Sequence, residues 1–201
     1  MHPRGYSLRS AKAVVFIAIM SALGNVLSFI SITVSPIIPS IPLGPISISL
    51  ALDLSHVTTF IAALFGGPLL GGSTGLIGGL VAAYEFGFSK GNAISGFAIP
   101  VGKALTGITA GIVMKAIGNP IRHRFFIVLT TMASYIPEAV YTAFIFIIIY
   151  PIIFKLPSSL FTLVTVQILV KAFVEMVVMG LILATMLGNR GFKEYVEGFF
   201  A

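Results

Sequence analysis

The chain has 201 residues, of which 57% are apolar and only 9% are charged, and its mean hydropathy is +1.08. Because soluble domains carry about 25% charged residues, this composition indicates an integral membrane protein. The sequence contains no cysteine, which excludes a disulfide framework and a thiolate metal site.

Runs without charged side chains, such as 13–34 and 57–84, are long enough for spanning helices, which need about 20 residues. The pattern predicts one all-α domain, residues 1–201, built from six transmembrane helices that we name H1 to H6. They are placed at about 12–34, 48–65, 67–85, 93–117, 124–152 and 159–188. H1 is too long for a removable signal peptide and has no small-residue cleavage site.

The net charge of +6 is concentrated in three basic clusters. These are Arg4, Arg9 and Lys12 before H1, Lys115, Arg122, His123 and Arg124 between H4 and H5, and Arg190 and Lys193 after H6. With six spans all three clusters fall on one side, and the other side keeps Lys90 and Lys155. Since positive charge marks the cytoplasmic side, we expect a plasma-membrane protein with both termini in the cytoplasm and no nucleic-acid partner.

The loop between H1 and H2, at about 35–47, contains four prolines and a glycine. Proline disfavours a helix here, so the segment should run extended. It is also rich in isoleucine and leucine, which is unusual for a loop that faces water. We interpret it as an outer lid that closes over a substrate and includes Leu43 as a contact; a surface or interfacial loop is the alternative.

Small residues recur at spacing four in two of the predicted helices. H3 carries Gly67, Gly71 and Gly75, a pattern that favours close packing of helix backbones in lipid. A Gly-Gly-Pro turn at 66–68 predicts that H2 and H3 form an antiparallel hairpin. In H1, Ala18-x-x-x-Ala22 predicts either packing within the bundle or a docking face for another membrane protein.

H4, H5 and H6 carry polar side chains at helical spacing within otherwise apolar sequence. They are Asn92, Ser95 and Lys103 on H4, Ser134, Tyr135, Glu138, Tyr141 and Thr142 on H5, and Gln167, Lys171 and Glu175 on H6. A charged side chain at the bilayer centre costs about 2.5–3.5 kcal/mol on insertion scales, so these stripes should meet inside the bundle.

Two interpretations of the stripes stay open. In the first, Lys103–Glu138 and Lys171–Glu175 are ion pairs that lock the helices together. In the second, the stripes line a substrate pocket in the outer half of the bundle, with Tyr84 and Glu85 at its rim. The substrate-binding residues would then be Lys171, Gln167, Lys103, Glu138, Asn92 and Tyr141.

Two further polar residues lie near the start of H2. Asp53 is either a helix-start acid or an anchor for the lid, and His56 is expected to be buried and hydrogen-bonded rather than a metal ligand. The sequence has no P-loop and no H-E-x-x-H motif, and Ser95-Gly96 lacks the glycine pattern of a serine nucleophile. We therefore expect no catalytic residues, no metal and no cofactor, and a protein that is not an enzyme.

The segments Asp53-Leu54-Ser55-His56 and Phe65-Gly66-Gly67-Pro68-Leu69-Leu70-Gly71, with the proline-rich loop and six helices in about 200 residues, resemble the substrate-binding S components of energy-coupling factor (ECF) transporters. Riboflavin-type members show a similar Asp-containing start of H2 and a similar Phe-Gly-Pro turn. Here His56 replaces a second acid, and the turn has an extra glycine.

The resemblance implies a compact S-component-like bundle that binds a vitamin or related micronutrient, riboflavin-like, at its outward face under the first loop. It implies that Ala18 and Ala22 contact the transmembrane coupling subunit and that two ATPase subunits supply the energy. It also implies that Lys171 lies near the ligand, with Gln167 in place of the family's asparagine. The alternative is a stand-alone channel or secondary carrier.

Overall fold

A computed structural model of the chain describes residues 10–38, 40–43, 46–49, 52–117, 124–155 and 157–200. The helices are α1 (Ala11–Val34), α2 (Ser55–Gly66), α3 (Pro68–Gly78), α4 (Leu80–Phe86), α5 (Ala93–Ile117), α6 (Arg124–Ser134), α7 (Ile136–Phe144), α8 (Tyr150–Phe154), α9 (Ser158–Gly188) and α10 (Arg190–Phe200). Strands β1 (Ser40–Leu43) and β2 (Ile46–Ser49) pair as an antiparallel hairpin between α1 and α2.

The helical membrane-type architecture that the composition predicts is confirmed. Within the described residues, five segments are long and apolar enough to cross a membrane: Ala11–Ile37, Pro68–Lys90, Ala93–Ile117, Phe125–Phe154 and Ser158–Gly188. The segment that corresponds to H2 is α2, an apolar helix of 12 residues, which is shorter than the span we expected.

The predicted start of H2 at residue 48 is wrong. Residues Ile46–Ser49 form β2, and the helix begins only at Ser55. The alternation Ile-Ser-Ile-Ser suits a strand, in which successive side chains point to opposite faces. The Asp53 carboxylate then accepts a hydrogen bond from the backbone N–H of Ser55, at 3.1 Å, and helps to start α2.

Two of the predicted helices are interrupted. H3 is divided at Gly79 into α3 and α4, and H5 into α6, α7, a π-helical turn at Ile145–Ile149 and α8. Pro137 accounts for the break before α7, because it has no N–H to donate to the preceding turn.

The break between α3 and α4 is bridged by a side chain of α1. The Asn25 amide donates to the carbonyl oxygen of Ile77 and accepts from the N–H of Val81, each at 2.9 Å. Backbone groups that a helix break leaves without partners must be satisfied by other groups in a bilayer. Asn25 therefore stabilises this interruption.

Glycines bring α3 and α5 into backbone contact, which confirms the close packing that the spacing-four pattern predicts for H3. A Cβ at Gly71 would lie 2.6 Å from the carbonyl oxygen of Gly107, and a Cβ at Gly75 would overlap the backbone carbonyl of Lys103. Any side chain at these positions would push the two helices apart. The contact fixes the position of Lys103 along the axis of α3.

Helix α10 was not predicted, because H6 was expected to end near residue 188 and no helix was expected after it. Its Val196 is buried, and the Phe199 ring lies 5.5 Å from the Phe16 ring of α1. Its charged side chains form exposed pairs such as Arg190–Glu194, at 3.6 Å. An amphipathic helix of this kind suits the membrane surface.

Candidate functional site

A cavity of about 330 Å³ lies inside the helical bundle. Its ionisable lining residues are Asp53, His56, Lys103, Glu138, Lys171 and Glu175, together with the hydroxyl-bearing Ser95, Tyr135, Tyr141 and Thr142. Its apolar walls include Phe86, Ile99, Ile145, Phe146 and Ile168. The cavity thus has the mainly apolar lining with a few polar groups that is typical of small-molecule sites.

The cavity lies in the half of the bundle that is nearer the hairpin. On α5 its lining runs from Ser95 to Lys103, within the first half of the helix, and on α4 it includes Phe86 at the end of the helix. The second strand of the hairpin runs beside α9, which contributes Lys171 and Glu175. The 35–47 loop was predicted to run extended, but Ser35–Ile37 form a 3₁₀ turn that continues α1. Its extended part, the strands of the hairpin, is close to the site, and the side chain of Leu43 lies outside the described residues.

Lys103 is held by the chain that enters α2. Its ammonium nitrogen lies 2.6 Å from the Asp53 carboxylate and also donates to the Ser55 hydroxyl. Only 4% of the Lys103 side chain is exposed, so its charge is satisfied within the protein. The predicted Lys103–Glu138 pair is wrong, because the segment before α2 brings a closer carboxylate to Lys103.

Lys171 and Glu175 form the predicted pair along α9, at 3.5 Å. One Glu175 carboxylate oxygen also accepts the backbone N–H of Asp53, at 3.1 Å. Glu175 therefore joins α9 to the chain that enters α2. The Lys171 side chain keeps 35% of its surface exposed and lines the cavity.

Glu138 has a different environment. Its carboxylate accepts a hydrogen bond from the Thr106 hydroxyl and lies 3.7 Å from Nε2 of His56, which exceeds hydrogen-bond distance. His56 is buried, as predicted, with 5% of its surface exposed. Neither of its ring nitrogens has a hydrogen-bond partner among the described residues, so the hydrogen-bonded role that we expected for it is not found.

Tyr150 closes the end of the site near the start of α5. Its hydroxyl accepts a hydrogen bond from the Asn92 amide at 2.8 Å and shares a short hydrogen bond with Ser95. Its ring lies 4.6 Å from the ring of Phe146, which lines the cavity. Sequence reasoning missed Tyr150, although a tyrosine near the end of H5 is typical of an interfacial anchor.

The structure brings four of the predicted substrate-binding residues to the cavity wall: Lys103, Glu138, Tyr141 and Lys171. Asn92, Tyr84, Glu85 and Gln167 are not among the lining residues that the structure describes. Ala82 and Phe86 of α4 line the cavity. Tyr84 follows Ala82 by two positions, so its side chain points about 200° away from that of Ala82 around the helix axis. Accordingly, Tyr84 is 64% exposed. Tyr84 therefore does not line the cavity, and its place at the pocket rim stays a prediction.

Ala18 and Ala22 lie on the outer face of α1, and both are exposed. The opposite face of the helix carries the contacts to the bundle, such as the Asn25 bonds to α3 and α4 and the buried Ser21. Of the two interpretations left open for the alanine pair, packing within the bundle is not found among the described residues.

Comparisons of the chain with protein-family models, with curated proteins and with solved structures found no match.

Proposed function

We propose that this protein is the substrate-binding membrane subunit of an importer of the ECF type. In this proposal the cavity binds a vitamin or related micronutrient from the outer face of the plasma membrane. A transmembrane coupling subunit and two ATPase subunits then drive its delivery. The observation that carries the proposal is that the cavity is lined by charged side chains and lies apart from the exposed face of α1 that carries Ala18 and Ala22.

The cavity supports a binding role. Its volume of about 330 Å³ lies within the range of about 300–1,000 Å³ that is usual for small-molecule sites. Ionisable side chains at membrane depth are costly, and they commonly mark substrate pathways. Six such residues line one cavity, and the side chain of one of them, Lys171, keeps 35% of its surface exposed.

The basic clusters support an outward-facing cavity. Lys12, Lys115 and Arg190 lie at the ends of α1, α5 and α9 that are opposite to the hairpin. If positive charge marks the cytoplasmic side, the termini are cytoplasmic and the cavity lies in the outer half of the membrane. The hairpin between α1 and α2 would then cover an outward-facing site.

The outer face of α1 supports a protein partner. Two alanines one turn apart on an exposed face allow another helix to approach closely, which is how helices associate in lipid. The sequence carries no P-loop of its own, so in this proposal ATP hydrolysis takes place in the partner subunits.

The test replaces the two alanines by a bulky residue, in the double variant Ala18→Leu/Ala22→Leu. The tagged chain is expressed with the coupling subunit and ATPases of its own organism, and both co-purification and uptake are measured. We expect the variant to lose the partners and uptake but to keep its fold. Ala133→Leu, at an exposed alanine of α6, is the matched control.

The alternative, a stand-alone channel or secondary carrier, gives the opposite result. If the double variant transports substrate as well as the wild type with no partner present, the ECF-type proposal is wrong. Mass spectrometry of small molecules that co-purify with the wild-type chain would identify the substrate in either case.

A further inference from the structure

Tyr135 lies at the break between α6 and α7, and its side chain forms part of the cavity wall. Its backbone N–H donates to the carbonyl oxygen of Met132, and its own carbonyl oxygen accepts the N–H of Ala139 at 2.9 Å. The backbone of Tyr135 is therefore held from both sides of the break that Pro137 creates. The whole residue is only 5% exposed.

The hydroxyl group of Tyr135 has no hydrogen-bond partner among the described residues. Its oxygen nevertheless keeps accessible surface, in contrast to the ring nitrogens of His56, which are fully enclosed. A buried polar group normally has a hydrogen-bond partner, and a phenol can both donate and accept. Tyr135 therefore presents an unused hydroxyl group to the cavity.

The surroundings of this hydroxyl group decide whether it donates or accepts. The carboxylates of Glu138 and Glu175 both act on it electrostatically. Each carboxylate is already bonded, Glu138 to the Thr106 hydroxyl and Glu175 to the backbone N–H of Asp53. A ligand N–H would find a stronger acceptor in either carboxylate than in a phenol oxygen, because ionised acceptors form stronger hydrogen bonds. The hydroxyl group of Tyr135 is therefore suited to a ligand atom that accepts a hydrogen bond.

The ionisable side chains of the cavity can balance one another. Among the described lining residues they form three pairs of opposite sign: Asp53–Lys103, Lys171–Glu175 and, when the imidazole is protonated, His56–Glu138. A ligand with a net charge would add an unbalanced charge at membrane depth, which is costly. An anion would in addition be repelled by the two carboxylates that act on Tyr135. The cavity therefore favours an uncharged ligand.

We infer that Tyr135 is a substrate-binding residue, whose hydroxyl group donates a hydrogen bond to a carbonyl oxygen or ring nitrogen of an uncharged aromatic substrate. This inference rests on the proposed function, since it takes the cavity as the substrate site. The aromatic part is assigned from the rings of Phe86 and Phe146 on the cavity wall, because aromatic rings pack favourably against each other. The acceptor atom distinguishes this substrate from a purely apolar molecule, which the apolar walls alone would also admit.

The test uses four probes of the same planar shape on the purified full chain in lipid nanodiscs. Acetophenone carries an uncharged carbonyl group, α-methylstyrene has a methylene group in place of the carbonyl oxygen, and benzoate and benzamidinium carry a negative and a positive charge. Ligand binding to the folded state raises the Tm, so the Tm is measured against probe concentration. We expect acetophenone to raise the Tm at a concentration roughly 10-fold below that needed for either ion.

Tyr135→Phe removes only the hydroxyl group, so it is the informative variant. We expect it to weaken binding of acetophenone by roughly 3- to 10-fold and to leave the response to α-methylstyrene unchanged. Because each probe enters the lipid equally in both variants, comparing one probe between variants cancels this partitioning. Tyr195→Phe, at a tyrosine of α10 that is 79% exposed, is the matched control and should bind both probes as the wild type does.

An unchanged response of Tyr135→Phe to acetophenone, or an equal loss for acetophenone and α-methylstyrene, overturns the inference. Stronger binding of either ion than of acetophenone overturns it too, and so does a lack of response to every probe.

A measurement on the wild type gives an answer even if Tyr135→Phe does not fold. An accepted hydrogen bond lowers the carbonyl stretching frequency of bound, isotope-labelled acetophenone, whereas a frequency equal to that in a hydrocarbon solvent overturns the inference. None of these outcomes decides the proposed function, because partner-dependent uptake is tested through Ala18 and Ala22. Loss of partner dependence with a preserved effect of Tyr135→Phe would overturn the proposed function alone.

Discussion

The ammonium group of Lys103 lies 2.6 Å from the carboxylate of Asp53, and this pair holds α5 against the chain that enters α2. The backbone N–H of the same aspartate is bound by Glu175 of α9, at 3.1 Å. Asp53 thus connects α2, α5 and α9 at the wall of the cavity. The segment that follows the hairpin is fixed by charge and hydrogen bonding as well as by apolar packing.

Lys103→Met should destabilise the protein strongly. It leaves the Asp53 carboxylate without its partner in the interior, and breaking a buried ion pair in this way costs about 3–5 kcal/mol. The free energy of unfolding in detergent measures the effect. Since a quarter of the Asp53 side chain is exposed, we expect the lower end of that range.

Arg190→Met is the control for Lys103→Met. It removes one partner of an ion pair whose side chains are 93% and 70% exposed, and exposed pairs contribute about 0–1 kcal/mol. Equal losses of stability in the two variants would show that the Asp53–Lys103 pair does not hold α2 to α5.

The features that the sequence predicts well are those set by local spacing. Lys171 and Glu175 are four residues apart on one helix, so their pairing follows from helix geometry alone. Close backbone packing of H3 was likewise expected from glycines at spacing four, such as Gly71 and Gly75, although its partner, α5, was not predicted.

The features that the sequence did not predict depend on tertiary placement. Lys103 pairs with Asp53, which is 50 residues away in the sequence. The pair forms because β2 occupies the predicted start of H2, so α2 begins later and Asp53 lies in the chain that enters it. Tyr84 was placed at the pocket rim from its position at the end of H3, but its side chain faces outward because of the rotation of α4. The hydropathy pattern determines neither the residue at which a short helix begins nor the rotation of that helix about its own axis.

Gly107→Ala should separate α3 from α5. The added Cβ would overlap the backbone carbonyl of Gly71, and neither backbone can move without repacking the bundle. Overpacking of this kind costs about 1–3 kcal/mol. We expect a lower Tm and weaker ligand binding, since Lys103 lies one turn away on the same helix.

Gly198→Ala on α10 is the matched control, because a Cβ there has no heavy atom within 4 Å outside its own helix turn. Alanine has the higher helix propensity, so this variant should be as stable as the wild type or slightly more stable. If Gly107→Ala behaves in the same way, the α3–α5 contact is looser than the backbone distances indicate.

Asn25→Leu should destabilise the break between α3 and α4 more than its modest change in size suggests. The wild-type amide oxygen accepts from the Val81 N–H at 2.9 Å, and leucine cannot; the Ile77 carbonyl, to which the amide also donates, keeps the Gly79 N–H as a donor. A buried backbone donor left without a partner costs about 1–3 kcal/mol. The loss should appear in the free energy of unfolding and as faster hydrogen exchange at the Val81 amide.

Thr33→Val on the same helix provides the comparison for Asn25→Leu. The Thr33 hydroxyl donates to the Phe29 carbonyl of its own helix and is exposed, so its removal leaves no interhelical group without a partner. We expect this variant to unfold as the wild type does and to leave exchange at Val81 unchanged. Similar exchange at Val81 in both variants would mean that the break is satisfied without Asn25, and α1 would then contribute only apolar packing there.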